Sequence, residues 1–401
     1  MYRNIEHFAN LTPLRFVAAY LVVIFHVEET RKMFNLPNLT RLSLFRNGPL
    51  AVTFFFVLSG FLITYLLLRE REWSGQIRVG RFYLRRILRI WPLYFLMVFV
   101  GLVLIPAGIK AGRVPYQAPY ESLDVAAFFV LFVPFVVNLL YGNHFLTPLW
   151  SVGVEEIFYL GWAPIVKLIH GRLPTIMLGT VALKTSLAVW AHYFSRGALV
   201  EELLRMLQFE AMAIGGLGAY FVFHCRRPID KYWLFSKPVQ AMLIGLLLMR
   251  LSVHQALVES SSLYATVFDN SVLTPSLMMA IFAWFIINAA VNEQSIIHLD
   301  SRALDYLGSI SYGIYMYHAL VISLVFVPFL DEYRAVPNLS ATLVLHTLVA
   351  GLTILLAALS KTFYEDNILR YKIRCQAIDG GRPAKHHAND GTAKPSGALA
   401  A

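Results

Sequence analysis

The chain has 401 residues, 58% of them apolar and only 14% charged, with a net charge of +10. Soluble domains carry about 25% charged residues, so a water-soluble multi-domain enzyme is excluded, as is disorder over most of the chain. What remains is an all-α polytopic membrane protein, with room for about ten or eleven spans of about 20 residues each.

Eleven apolar stretches follow one another: 11–27, 48–68, 90–109, 124–141, 152–169, 173–194, 206–223, 238–258, 272–291, 306–328 and 341–363. Residues 1–10 are polar and lead into a first run that carries Arg15, so that run is expected to be an uncleaved signal anchor. Half of the excess positive charge lies between 69 and 89, where seven arginines meet Glu70 and Glu72. Such a cluster marks a cytoplasmic loop. The segments 225–237 and 364–374 are basic too, whereas Glu259, Asp269, Asp331 and Glu332 mark loops on the other side. Between the basic loop and residue 224 the chain must cross an even number of times, yet five stretches are read. Stretch 124–141, interrupted by Pro134, is therefore expected not to cross, as a possible re-entrant segment. About ten transmembrane helices result, with both termini cytoplasmic. Residues 1–370 form the membrane domain, and 371–401, rich in Gly, Ala, Pro, Lys and His, form a disordered cytoplasmic tail.

Polar side chains inside spans are costly and mark candidate sites. Arg15 and His26 lie eleven residues apart on one predicted helix. That separation returns them to nearly the same face, about 16 Å apart along the axis. They suit a ligand that is anionic at one end and reactive at the other, or Arg15 snorkels to the interface while His26 caps the outer end. Ser59-Gly60 within an aromatic helix reads as a packing device. Arg81, Arg85 and Arg89 form one helical stripe, with Arg86 next to it and little local acid, which fits a phosphate-rich ligand or lipid headgroups. Glu155 and Glu156 open a span among Trp150, Ser151 and Tyr159, and only one of the two carboxylates is expected to face inward. The segment 306–318 combines small residues with Tyr312 and His318, for substrate contact or helix packing. Lys184, Glu210, Arg250 and Lys361 are further in-span charges without a pattern. Two cysteines, Cys225 and Cys375, allow neither a disulfide framework nor a cysteine metal cluster. No metal-ligand spacing is present; the His386-His387 pair has no partners in sequence. Nucleic acid is not an expected partner, since no soluble domain is there to present the basic residues.

Taken together, these segments resemble the membrane acyltransferase-three family, the bacterial O-acyltransferases of surface polysaccharides, peptidoglycan, Nod factors and macrolides. The resemblance spans about residues 8–365. It is carried by Arg15 with His26, the run Phe55–Ile63, the arginines through Arg89-Ile90-Trp91-Pro92, Leu149–Tyr159 and Gly308–His318. Gly153 and Ile157 stand where many members carry Ser and Gln, which bears on the acceptor pocket. The resemblance implies a ten-helix domain in the bacterial inner membrane, an acyl-CoA donor such as acetyl-CoA, no permanently bound cofactor, and a hydroxyl acceptor on a carbohydrate or glycolipid. On that reading His26 is the base or a transient acyl carrier. Arg85, Arg86 and Arg89 hold the donor phosphates, and Arg15 contacts the donor within the membrane. Glu155 or Glu156 orients the base or binds acceptor hydroxyls, and Ser151, Trp150 or a tyrosine stabilises the oxyanion. Tyr159, Tyr312 and His318 complete the substrate contacts. A secondary transporter or a flippase of lipid-linked glycans is the alternative class, although the paired broken helices of inverted repeats are not read here.

Overall fold

The computed structural model describes residues 2–111, 119–194, 197–269, 273–299, 301–326 and 339–370, and these form helices without strands. The expected tail (371–401) and the Asp331–Glu332 loop lie outside the described residues. In chain order the helices are α1 (Leu11–Met33), α2 (Gly48–Ser74) and α3 (Val79–Phe99, continued through a π-turn at Val100–Leu104 to Lys110). Then come α4 (Ser122–Val130), α5 (Pro134–Tyr141), α6 (Leu149–Leu168), α7 (Leu173–Phe194), α8 (Ala198–Met206) and α9 (Phe209–His224). The last are α10 (Lys237–Ser260), α11 (Ser262–Phe268), α12 (Leu273–Val291), α13 (Arg302–Ser309), α14 (Ser311–Phe326) and α15 (Ser340–Arg370).

Among the described residues eight helices are long and apolar enough to cross a membrane, with α8 and α9 counted as one, and the α13–α14 pair, bent by 64°, makes nine if it is one broken span. Helix α6 is not among these and carries Glu155 and Glu156 in mid-helix. At 20 residues it has the length to cross, but its polar residues keep it out of the apolar set, so eight to nine candidate spans stand among the described residues where about ten were expected. Stretch 124–141 is also broken, into pieces shorter than a span: α4 has 9 residues and α5 has 8, neither enough to cross alone. The break falls at Phe132, whose φ of 57° is unusual for a bulky residue. Pro134 follows, and the Phe132 ring is stacked 4.6 Å from that of Tyr94 and lies 5.1 Å from that of Trp91.

Helix α2 is the most enclosed of the spans and α10 the least. The sequence explains why α2 can sit centrally. Gly60 faces α9 so closely that a Cβ there would lie 2.0 Å from the Met212 carbonyl oxygen, and one on Gly215 would lie 1.9 Å from that of Val57. These are backbone contacts that only small residues permit. Gly215→Val should therefore force α2 and α9 apart and cost about 1–3 kcal/mol or more, read as a lowered melting temperature in detergent. Gly153 has a similar role: a Cβ would fall 2.6 Å from the Phe132 carbonyl oxygen and from Pro134. The small residue here accommodates the α4–α5 break.

The α5–α6 loop holds His144, 8% exposed. The Leu146 N–H donates to its Nδ1 (3.1 Å), so Nε2 carries the proton and bonds Asn138 Oδ1 at 2.8 Å. Burial pushes its pKa from 6.5 down to about 4. The neutral form is thus favoured by folding. Its contribution is full above about pH 6.5 and is lost as the pH falls toward about 4, because the unfolded chain takes up the proton first. Melting curves across that window should show wild type losing more stability than His144→Gln.

Candidate active site

Helices α1, α6 and α14 each carry one polar group toward one end of a shared interior and another about one to three turns away. Arg15 and His26 are on α1, Glu155 and Ser151 on α6, and Tyr312 and His318 on α14. The result is two clusters on one set of helices.

The first cluster is cationic. Arg15 lies within electrostatic range of Arg86 and Arg89 on α3, and of Glu155 and Tyr159 on α6. The Arg86 guanidinium lies 5.8 Å from the Phe82 ring centre and 6.0 Å from that of Tyr159. Its Nε is buried and has no hydrogen-bond partner, and no carboxylate forms an ion pair with Arg15, Arg86 or Arg89 among the described residues. Three like charges gathered this way repel one another, and Glu155, in range of Arg15 and Arg86 but paired with neither, offsets that only in part.

Arg85 differs from its neighbours. It donates to Glu70 at the end of α2 (2.7 Å), and the other oxygen of Glu70 accepts the Arg78 N–H at 3.0 Å. Arg3 pairs with Glu72 and Arg69 with Glu6. The expectation of little local acid is corrected by this layer of ion pairs. The sequence showed the arginine stripe but not that the α2 carboxylates return to meet part of it. Arg81 is exposed.

Both glutamates are taken up by the protein, in different directions, which corrects the expectation that one faces outward. Glu155 accepts from Ser59 of α2 (2.7 Å) and from the Tyr159 hydroxyl (3.0 Å). Glu156 accepts from the Trp91 indole at 2.9 Å, and its other oxygen is buried without a partner. Adjacent residues on a helix point about 100° apart, and α2 and α3 flank α6 on those two sides. Tyr312 donates to the Ile90 carbonyl at 2.9 Å, which fixes α14 against α3.

The second cluster is a histidine pair. The His26 and His318 rings have centroids 4.8 Å apart. His26 Nδ1 bonds the Val22 carbonyl oxygen at 2.9 Å, and His318 Nδ1 bonds that of Tyr315 at 2.5 Å. A carbonyl oxygen only accepts, so both Nδ1 atoms carry the proton and both Nε2 atoms keep a lone pair. His318 is fully buried with its Nε2 unpartnered; His26 is half-buried. The backbone holds both rings, which corrects the expectation that a glutamate orients His26. Ser151 lies nearby but is engaged. The Tyr315 hydroxyl donates to the Pro148 carbonyl (2.9 Å), so the Ser151 hydroxyl donates to Tyr315 (2.7 Å). Trp150 packs edge-on against Phe56 at 5.9 Å. The arrangement offers a proton acceptor at one end and, at the other, a group of arginines with more positive charge than the nearby Glu155 balances.

The sequence of a family described as an acyltransferase domain matches residues 8–361. The chain belongs to the acyltransferase-three family. It is a multi-pass membrane protein of that family. Nodulation protein 10 of Rhizobium leguminosarum bv. viciae is 25% identical over 349 residues, 79% of this chain and 83% of that protein. The peptidoglycan O-acetyltransferase OatA of Listeria monocytogenes serovar 1/2a is 27% identical over 164 residues, 39% of this chain and 24% of OatA. A Staphylococcus aureus (strain COL) protein named as an O-acetyltransferase is 30% identical over 166 residues, 40% of this chain and 24% of its own length. The chain thus spans about a quarter of the staphylococcal and listerial relatives. No solved structure matches significantly.

Within this acyltransferase-family chain, three participants were not singled out from sequence as site residues. Ser59 was assigned to packing with Gly60, Trp91 was read only as part of a motif, and Tyr315 was passed over beside His318. Tyr315 lies one turn before His318, a spacing that marks a shared face. A fourth polar group is buried on α1. Glu28 pairs with Arg31 (2.7 Å) and His346 (2.7 Å) and accepts the Leu39 N–H, tying α1 to α15.

Proposed function

We propose that this protein is an integral membrane O-acyltransferase. It moves an acyl group, acetyl in the simplest case, from acyl-CoA to a sugar hydroxyl of a surface polysaccharide or glycolipid. One observation carries the reading: His26, its proton fixed on Nδ1 and its Nε2 lone pair available, shares α1 with Arg15, which gathers with Arg86 and Arg89 of α3 where no carboxylate forms an ion pair with them among the described residues. The O-acetyltransferase names of the relatives support the reaction type.

The donor's phosphates lie against Arg86, Arg89 and Arg15, and its thioester extends along α1 toward His26. The Nε2 of His26 takes the proton of the acceptor hydroxyl as the oxygen attacks the thioester carbon. The tetrahedral intermediate collapses with loss of the thiolate, which recovers the proton from the imidazolium. His318 sits against the His26 ring as a second neutral imidazole. Glu155, bonded by Ser59 and Tyr159, limits repulsion among the arginines while the site is empty. In the cell the protein lies in the bacterial cytoplasmic membrane, with both termini and the arginine cluster on the cytoplasmic side.

The test is transfer itself. Purified protein in lipid is given radiolabelled acetyl-CoA and surface polysaccharide from a strain lacking its own O-acetylation. Label in the polysaccharide, released by mild base as an ester, is the expected result. Unlabelled polysaccharide across all the polysaccharides offered would contradict the reading.

A further inference from the structure

No hydrogen bond joins the His26 and His318 rings among the described residues. Each ring is tied through Nδ1 to a carbonyl of its own helix, Val22 on α1 and Tyr315 on α14. The 4.8 Å between the ring centres is therefore set by how α1 docks against its neighbours. Whatever holds α1 and α14 in register decides whether the proposed base meets its substrate.

Two residues beyond His26 stands a polar node that the proposed mechanism does not use. Glu28 is fully buried and Arg31, one turn on, is 6% exposed. One Glu28 oxygen accepts from Arg31 and from His346 Nε2 of α15, each at 2.7 Å, and the other accepts the Leu39 N–H. Arg31 also donates to the Thr342 hydroxyl of α15 at 2.8 Å. The His346 ring lies 5.6 Å from that of Phe45. The node pins the end of α1 beyond His26 to α15 and to the segment around Leu39.

Helix α15 is in turn fixed to α14. A Cβ on Gly313 would lie 3.0 Å from that of Ala357, and the Tyr317 hydroxyl donates to Ser360 at 3.0 Å. Tyr317 is the residue before His318. A chain of contacts therefore runs from Glu28 through His346 and α15 to the helix that carries His318. Two steps along a helix turn by about 200°, so the node grips α1 on a flank away from the one that presents His26.

Stability alone does not call for such a node. Taking two charges out of water can cost more than their attraction returns, and apolar residues of similar volume serve a buried contact as well. What apolar residues do not supply is a single register, whereas a carboxylate with three fixed donors has one fit. General-base chemistry is sensitive to such placement: a displacement of about 1 Å can cost about 100-fold in rate.

We propose that Glu28, through Arg31 and His346, is the positioning residue that holds His26 at its working distance from His318 and the substrate. The inference rests on the transferase reading. Wild type is compared with a variant whose node is uncharged, combining Glu28→Gln, Arg31→Met and His346→Leu; the glutamine keeps an acceptor for the Leu39 N–H. Each full-length protein is reconstituted in lipid, and turnover with acetyl-CoA and acceptor polysaccharide is expressed per acetyl-CoA-binding site. The variant should melt close to wild type, yet its kcat should fall about 10- to 100-fold. Its KM for acetyl-CoA should not change, because Arg15 lies eleven residues from His26, about 16 Å along α1. His346→Leu alone should show the same split, and His346→Gln, which restores a donor to Glu28, should recover most of the turnover. These two single variants decide the matter if the combined variant does not fold. A folded variant with wild-type kcat, or a kcat no better in His346→Gln than in His346→Leu, would overturn the proposal. Wild type that transfers nothing overturns the transferase reading and this inference together; wild type that transfers beside an equally active variant overturns this inference alone.

Discussion

His26→Ala lowers acyl transfer by about 10²–10⁴-fold, the range supplied by a positioned general base, while the protein still inserts and melts as wild type does. The alternative anchor for this expectation, a merely structural histidine at the end of a span, does not fit the geometry. His26 is half-buried, its only fixed bond runs to its own helix at Val22, and its ring faces a second histidine with an unpartnered Nε2. A structural histidine would have both nitrogens engaged, as His144 does. The check is initial rate of label transfer from acetyl-CoA at saturating acceptor. Transfer at the wild-type rate would remove His26 from the chemistry. If His26 carries the acyl group rather than the proton, acceptor-free protein retains label that His26→Ala does not.

Arg86→Ala raises the KM for the acyl donor by about 30-fold or more, the result of removing about 2 kcal/mol or more from a desolvated charged contact. Turnover at saturating donor changes much less. Arg86 is chosen over Arg85 because the latter is held by Glu70 at 2.7 Å, whereas Arg86 has a buried, unpartnered Nε and adjoins Arg15 and Arg89. Arg85→Ala should therefore affect the junction of α2 and α3 more than the donor. Equal KM values for Arg86→Ala and wild type would make the cluster a topological feature rather than a binding site.

Much of this was legible in the chain because charge inside an apolar span is rare enough to be conspicuous. Arg15, His26 and the Glu155-Glu156 pair stood out for that reason, and they do converge on one interior. Charge parity singled out stretch 124–141, and that stretch does break, at Phe132. Partner identity was not legible, because it depends on which helices become neighbours. Ser59 and Gly60 illustrate this: one fits against Met212 while the other bonds Glu155, and a dipeptide pattern does not separate the two fates. Likewise the helical period put Arg85 on a stripe, but only the fold of α2 against α3 brings Glu70 to it. His318 became meaningful once α14 lay against α1. Lys184, Glu210 and Arg250, patternless in the sequence, line one cavity of about 470 Å³ at the start of α2.

The central claim is that an anionic acyl donor is held by Arg15, Arg86 and Arg89 and presented to His26. Calorimetric titration of the detergent-purified protein with acetyl-CoA tests it most directly, beside a variant in which Arg15, Arg86 and Arg89 are each replaced by glutamine, and beside His26→Ala. The account predicts saturable binding to wild type and to His26→Ala, and its loss in the triple variant. Absence of binding to folded wild-type protein, or binding undiminished by removal of all three guanidiniums, would contradict it.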